Sequence, residues 1–150
     1  MRPGGQEIIR RTIDDLLIAS VRYVGEYGAC GGYFDRLLRR AGPHAVGPPF
    51  CLFADEPGEA GVEIECCVPV DVVVEGDDVR SRVLPGTEVL SITHRGPYRT
   101  LGEAWETLFD VIEGENLQAA APRREIYLDE EPAGSESHVT ELQVPLDRIG

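Results

Sequence analysis

Gly96-Pro97-Tyr98-Arg99-Thr100-Leu101-Gly102-Glu103-Ala104-Trp105-Glu106-Thr107-Leu108 is the stretch whose reading decides the fold. Gly96-Pro97-Tyr98 breaks the strand expected over Glu88–His94. Thr100 and Glu103 have the spacing of a capping box, in which the hydroxyl accepts from the Glu103 backbone N–H and the carboxylate reaches back. Leu101, Trp105, Leu108 and Ile112 follow at spacings of four, three and four, which gives a helix one continuous apolar face to about Glu113. Gly114 is expected to end it. A loop through Ala119–Pro122 leads to a short strand around Glu125, and Val139–Val144 forms a last strand before Pro145.

The first half has the same order. A strand over Leu17–Val24 is broken at Gly25–Gly28, and a helix from about Gly32 to Arg40 sets Phe34, Leu37 and Leu38 on one face before Gly42-Pro43. Phe50–Ala54 and Val62–Val68 read as strands joined by a turn at Asp55–Gly58. In the latter strand Val62, Ile64, Cys66 and Val68 alternate with Glu63, Glu65 and Cys67. At one constant offset Gly25, Tyr27, Phe34 and Leu37 match Gly96, Tyr98, Trp105 and Leu108. After a loop shift Phe53 matches Tyr127 and Asp55 matches Asp129. After another, Glu65, Val68 and Pro69 match Glu141, Val144 and Pro145.

Shifts confined to loops point to duplication of a strand–helix–strand–strand unit. Strands over Glu7–Thr12 and Val79–Leu84 lead into the halves, with turns at Asp14-Asp15 and Pro85-Gly86. The expected architecture is a single α+β domain over 1–150. Repeat 1 spans about 7–70, a connector 71–78, and repeat 2 about 79–147. Two such units related by a pseudo-two-fold would share a groove suited to a ligand.

The strand Arg123-Arg124-Glu125-Ile126-Tyr127-Leu128 alternates. Ile126, Leu128 and Arg124 take one face, and Glu125, Tyr127 and Arg123 the other. A carboxylate in an apolar groove is costly unless paired. Opposite an aromatic cation Glu125 would serve as counter-ion, helped by cation–π contacts. Opposite a strained electrophile, Glu125 and Tyr127 could do general acid–base work. The residue types serve both readings. Cys51 stands at the position of Glu125 in the first half, so the carboxylate would lie on one side only. Phe53, Trp105, Glu65 and Glu141 complete the expected ligand-binding set. Trp105, in the helix's apolar stripe, is at a position that is most often core, and the two glutamates read equally as solvated strand residues.

A chain of 150 residues suits one domain, and no apolar run reaches the length of a membrane span. The N-terminus lacks the apolar core of a signal peptide, so a cytoplasmic protein is expected. The net charge of −13, with every basic residue an Arg, argues against direct nucleic-acid binding and is compatible with attracting cations. Cys30, Cys51, Cys66 and Cys67 fit no metal knuckle, and His44, His94 and His138 lie far apart. No metal or cofactor is expected.

Taken together, Gly96-Pro97-Tyr98, the helix with Trp105, Arg124-Glu125-Ile126-Tyr127 and Val144-Pro145 resemble the GyrI-like (gyrase-inhibitor-like) effector-binding domain, which also occurs at the C-terminus of AraC-type and MerR-type multidrug-responsive regulators. The resemblance is strongest over 79–147. It implies a tandem α+β module with a hydrophobic groove for bulky, often cationic, aromatic compounds. It also implies a Glu in that groove at the position of Glu125, followed by an aromatic at Tyr127. Residues 1–6 leave no room for a helix-turn-helix, so a stand-alone version is expected. Stand-alone relatives bring three possibilities: a small-molecule binder, a hydrolase of cyclopropane-bearing genotoxic compounds, or a protein that partners a topoisomerase such as gyrase. The oligomeric state stays open.

Overall fold

Backbone pairing sorts the strands into two antiparallel sets, each with one amphipathic helix, so the chain is α+β. The computed structural model describes residues 7–26, 29–53, 63–132 and 134–147. The turn expected at 55–58, Tyr27, Val62 and residues 1–6 lie outside them. Among the described residues the elements are β1 (Ile8–Ile13), β2 (Leu16–Val24), α1 (Cys30–Ala41), β3 (Phe50–Phe53), β4 (Glu63–Pro69), β5 (Arg80–Leu84), β6 (Thr87–Arg95), α2 (Leu101–Gly114), β7 (Arg123–Tyr127) and β8 (Val139–Pro145).

The chain divides into a central unit, Asp14–Gly86, and a terminal unit formed by Met1–Ile13 with Thr87–Gly150. In the central unit the order is β3-β4-β2-β5, and in the terminal unit β1-β6-β8-β7. The leading strands are therefore exchanged relative to the expected limits of 7–70 and 79–147. β1 pairs with β6, Ile8 opposite Ile92, and β5 pairs with β2, Leu84 opposite Leu16. Neither Asp14-Asp15 nor Pro85-Gly86 closes a hairpin. The Asp15 carboxylate instead accepts the Gly86 backbone N–H at 2.7 Å.

In the terminal unit, α2 sets Leu101, Ala104, Trp105, Leu108 and Ile112 against Leu90 and Ile92 of β6 and Leu142 and Val144 of β8. This is the apolar stripe expected at helical spacing. The central unit buries Leu37 and Ala41 of α1 with Ile18, Val21, Phe53, Ile64 and Val68. Cys51, Cys66 and Cys67 are buried, as small hydrophobes are.

One local expectation fails for an identifiable reason, and one holds. Thr100 makes no capping bond. A 3₁₀ turn over Tyr98–Thr100 precedes α2, and the hydroxyl instead donates to the Pro97 carbonyl at 2.9 Å, with His94 Nε2 2.8 Å away. α2 ends at Gly114, as expected, and the left-handed turn that follows is not made by this glycine. Asn116 makes it, at φ 55°, and the Leu117 N–H then reaches the Ile112 carbonyl at 2.9 Å. Asn is the commonest substitute for Gly at such a position.

Candidate functional site

A cis Ala121–Pro122 bond leads into β7, whose hydrogen-bonded neighbour β8 sets Glu125 opposite Leu142 and Ile126 opposite Glu141. Burial on β7 centres on Arg124 and Glu125, with Arg123, Ile126 and Tyr127 half-buried. Glu125 is 1% exposed, whereas Ile126 is half-buried and Leu128 is 46% exposed. An ionised carboxylate so placed must be held by donors. Tyr127 Oη donates to Glu125 Oε1 at 2.7 Å, and Trp105 Nε1 to Oε2 at 3.3 Å. Tyr127 reaches Glu125 because residues two apart in a strand share a face. Arg123, on that same face, lays its guanidinium over the rings of Trp105 and Phe109, 5.7 and 5.5 Å from their centroids. The parity read from the sequence thus brings Arg123, Glu125 and Tyr127 together, and α2 supplies Trp105.

An aromatic chain continues from Tyr127. Its ring meets Tyr98 edge to face at 5.9 Å, and Tyr98 stacks on the fully buried His138 at 3.7 Å. His138 Nδ1 lies 2.9 Å from Asp129, which also accepts the backbone N–H groups of Val139 at 2.7 Å and Glu131 at 2.9 Å. Burial pushes the Asp129 carboxyl up, but the Val139 N–H and His138 outweigh it and hold it below the usual range. A depressed folded value stabilises the protein above about pH 4 and is lost as pH falls through that value. Asp129→Asn is therefore expected to lower the unfolding free energy at pH 7 by about 1.5–3 kcal/mol. The gap to wild type should close toward pH 3 in denaturant titrations, and a gap independent of pH would contradict this role.

The other expected site residues are held as follows. Residues opposite each other in a ladder share a face, so Glu141 lies on the Ile126 side of its sheet, away from Glu125. It accepts from Arg11 at 2.6 Å, Ser91 at 2.8 Å and Gln143 at 2.9 Å. Glu65 belongs to the central unit, opposite Leu52 and Arg22, and is 7% exposed. Ser20 donates to it at 2.6 Å and Arg82 at 2.5 Å. Neither glutamate is simply solvated, because each is neutralised by an Arg on an edge strand. Phe53 is 1% exposed, in the core of the central unit.

Arg123 over Trp105, and His138 behind Tyr98, were not singled out from sequence. The parity of Arg123 was the available signal for the first. Nothing local marks the second.

A protein-family model described as the GyrI-like small molecule binding domain matches residues 6–147. No curated protein matches the chain. Among solved structures the chain is similar to the EcmrR C-terminal domain, at 20% identity and a TM-score of 0.84, covering 97% of this chain and 99% of that one. A hydrolase from Listeria innocua is similar at 15% identity and a TM-score of 0.76, covering 94% and 92%. SAV2435 bound to tetraphenylphosphonium is similar at 13% identity and a TM-score of 0.61, covering 94% of each. At these identities the likeness is one of fold.

Proposed function

Because the chain belongs to the GyrI-like small molecule binding domain family, we propose that it binds bulky aromatic cations, with Glu125 as their charge partner. One observation carries this reading: a fully buried carboxylate hydrogen-bonded to Trp105, the same indole over which the chain places a cation of its own. The Arg123 guanidinium marks where a ligand's positive charge gains from the aromatic faces and lies near the carboxylate. A ligand enters by displacing the half-buried Arg123 side chain. Tetraphenylphosphonium, the ligand of a protein with this fold, has the required bulk and charge.

Thermal unfolding with increasing tetraphenylphosphonium tests the proposal, since a ligand of the native state raises Tm with the logarithm of its excess over Kd. A rise with the cation and none with uncharged triphenylphosphine oxide is expected. Equal shifts, or none, count against the proposal. Arg123→Ala removes the resident competitor, and since exposed cation–π contacts are worth about 0.5–1 kcal/mol, affinity for the cation should rise roughly two- to fivefold. Weaker binding by that variant would mean that Arg123 supports the site instead of occupying it.

A second reading rests on the 2.7 Å hydrogen bond between Tyr127 and Glu125. The pair could protonate a leaving group and activate water in hydrolysis of a strained, cyclopropane-bearing compound. Mass spectrometry of such an alkylator incubated with the protein separates the readings. A hydrated product formed by wild type and lost in Tyr127→Phe supports hydrolysis.

A further inference from the structure

In the central unit β5 begins at Arg80, opposite Ser20, so β2 runs on through Val21–Val24 past the end of its neighbour. A cleft of about 700 Å³ opens at this step, and Tyr33 and Arg36 of α1 contribute to its wall. Its lining is unlike the rest of this acidic chain. Arg22, Arg36, Arg80 and Arg82 all reach it, with Asp78 their acidic neighbour in the wall. Arg82 is held at 2.5 Å by Glu65. The remaining ion pairs are loose: Arg22 is 3.7 Å from Glu65, and Arg36 is 3.8 Å from an exposed Asp78. The exposed Arg36 pair contributes little and exchanges readily for a better acceptor, and the exposed Arg22 only grazes a buried Glu65 that Ser20 and Arg82 already hold. Arg80, among the described residues, has no ion pair. With Glu65 and Asp78 counted against four guanidiniums, the cleft keeps a positive surplus.

The aromatic part of the wall is preorganised. Tyr23 and Tyr33 stack with centroids 4.1 Å apart and planes 3° from parallel, and the Arg36 guanidinium lies 5.5 Å from the Tyr33 centroid. Burial pushes the Tyr23 phenol up, so it stays neutral beside a negative charge. Guanidinium groups bind carboxylate and phosphate oxygens bidentately, and Arg is favoured over Lys for that geometry. A cavity of this volume takes a ligand of small-molecule size.

We propose that this cleft is a second binding site, for a planar aromatic compound bearing a carboxylate or phosphate. The acid group sits between Arg22 and Arg80, which share one face of the β2–β5 ladder, and the ring passes the edge of Val21–Val24, beyond the end of β5, to reach Tyr33 and Arg36 on the side of α1. The site is independent of the Glu125 reading, since none of its residues belongs to the terminal unit.

Calorimetric titration with 2-naphthoate, 2-naphthyl phosphate and uncharged 2-naphthol tests it. Both anions are expected to bind one to one, at least tenfold more tightly than 2-naphthol, and more weakly as salt screens the charges. Arg22→Ala/Arg80→Ala should lose at least tenfold in affinity for both anions while its circular dichroism and Tm stay near wild type. Arg39→Ala, an exposed change on α1 outside the cleft, should stay within twofold. The proposal is overturned by no anion binding at millimolar concentration, by equal binding of 2-naphthol, by full affinity in the double variant, or by an equal loss in Arg39→Ala. Should the double variant unfold, Arg80→Ala alone decides, because among the described residues Arg80 takes part in no ion pair.

Discussion

Trp105→Ala is expected to lower the unfolding free energy by about 3–5 kcal/mol, as large-to-small changes of buried aromatics do. The side chain packs in the α2 stripe among Leu101, Leu108 and Leu142, and its indole N–H serves a carboxylate cut off from water. Two losses are therefore combined, a cavity and a missing donor, and Trp105→Phe separates them. Phenylalanine refills most of the volume but leaves Glu125 Oε2 without the indole, which should cost about 1–3 kcal/mol. Denaturant titration gives both values. If Trp105→Phe is as stable as wild type, the indole–carboxylate bond contributes nothing, and the proposed site loses one wall.

Glu125→Gln is expected to weaken tetraphenylphosphonium binding ten- to a hundredfold, corresponding to about 1.5–3 kcal/mol for an interaction with a charged partner. Affinity for triphenylphosphine oxide should change little. Gln keeps the shape and one acceptor, so Tyr127 can still donate while the charge is gone. The comparison of the two ligands in one variant makes the result independent of any change in stability. A parallel loss for both would show that Glu125 shapes the site without acting as counter-ion.

The order of elements was legible because it rests on local periodicity. The Leu101–Ile112 stripe is where the spacing puts it, whereas the alternation around Ile64 and Val68 marks a strand but not a half-buried one, since β4 is buried from Ile64 through Pro69 on both faces. Pairing was less legible. β1 and β5 carry no local mark of which sheet they join, and the ladder, not the adjacent turn, decides it.

The Thr100–Glu103 spacing misled because an upstream proline carbonyl and His94 compete for the same hydroxyl. In the site, strand parity grouped Arg123, Glu125 and Tyr127, and the contacts follow it. Parity alone could not say which face would be buried. Hydropathy favours Ile126 and Leu128, yet the donors on Trp105 and Tyr127 draw Glu125 inward. Glu65 and Glu141 went unread as Arg–Ser-held groups because Arg82 and Arg11 arrive from distant edge strands. The cleft arginines are as scattered, since Arg22, Arg36 and Arg80 meet only through the fold.

Trp105 is the single tryptophan of the chain, so its indole N–H gives one resonance that reports on Glu125 directly. Titration of the ¹⁵N-labelled protein with tetraphenylphosphonium is therefore the most direct measurement. This resonance is expected to shift saturably with the cation and to stay in place with triphenylphosphine oxide. Saturable binding of the cation with the Trp105 resonance unmoved would contradict it.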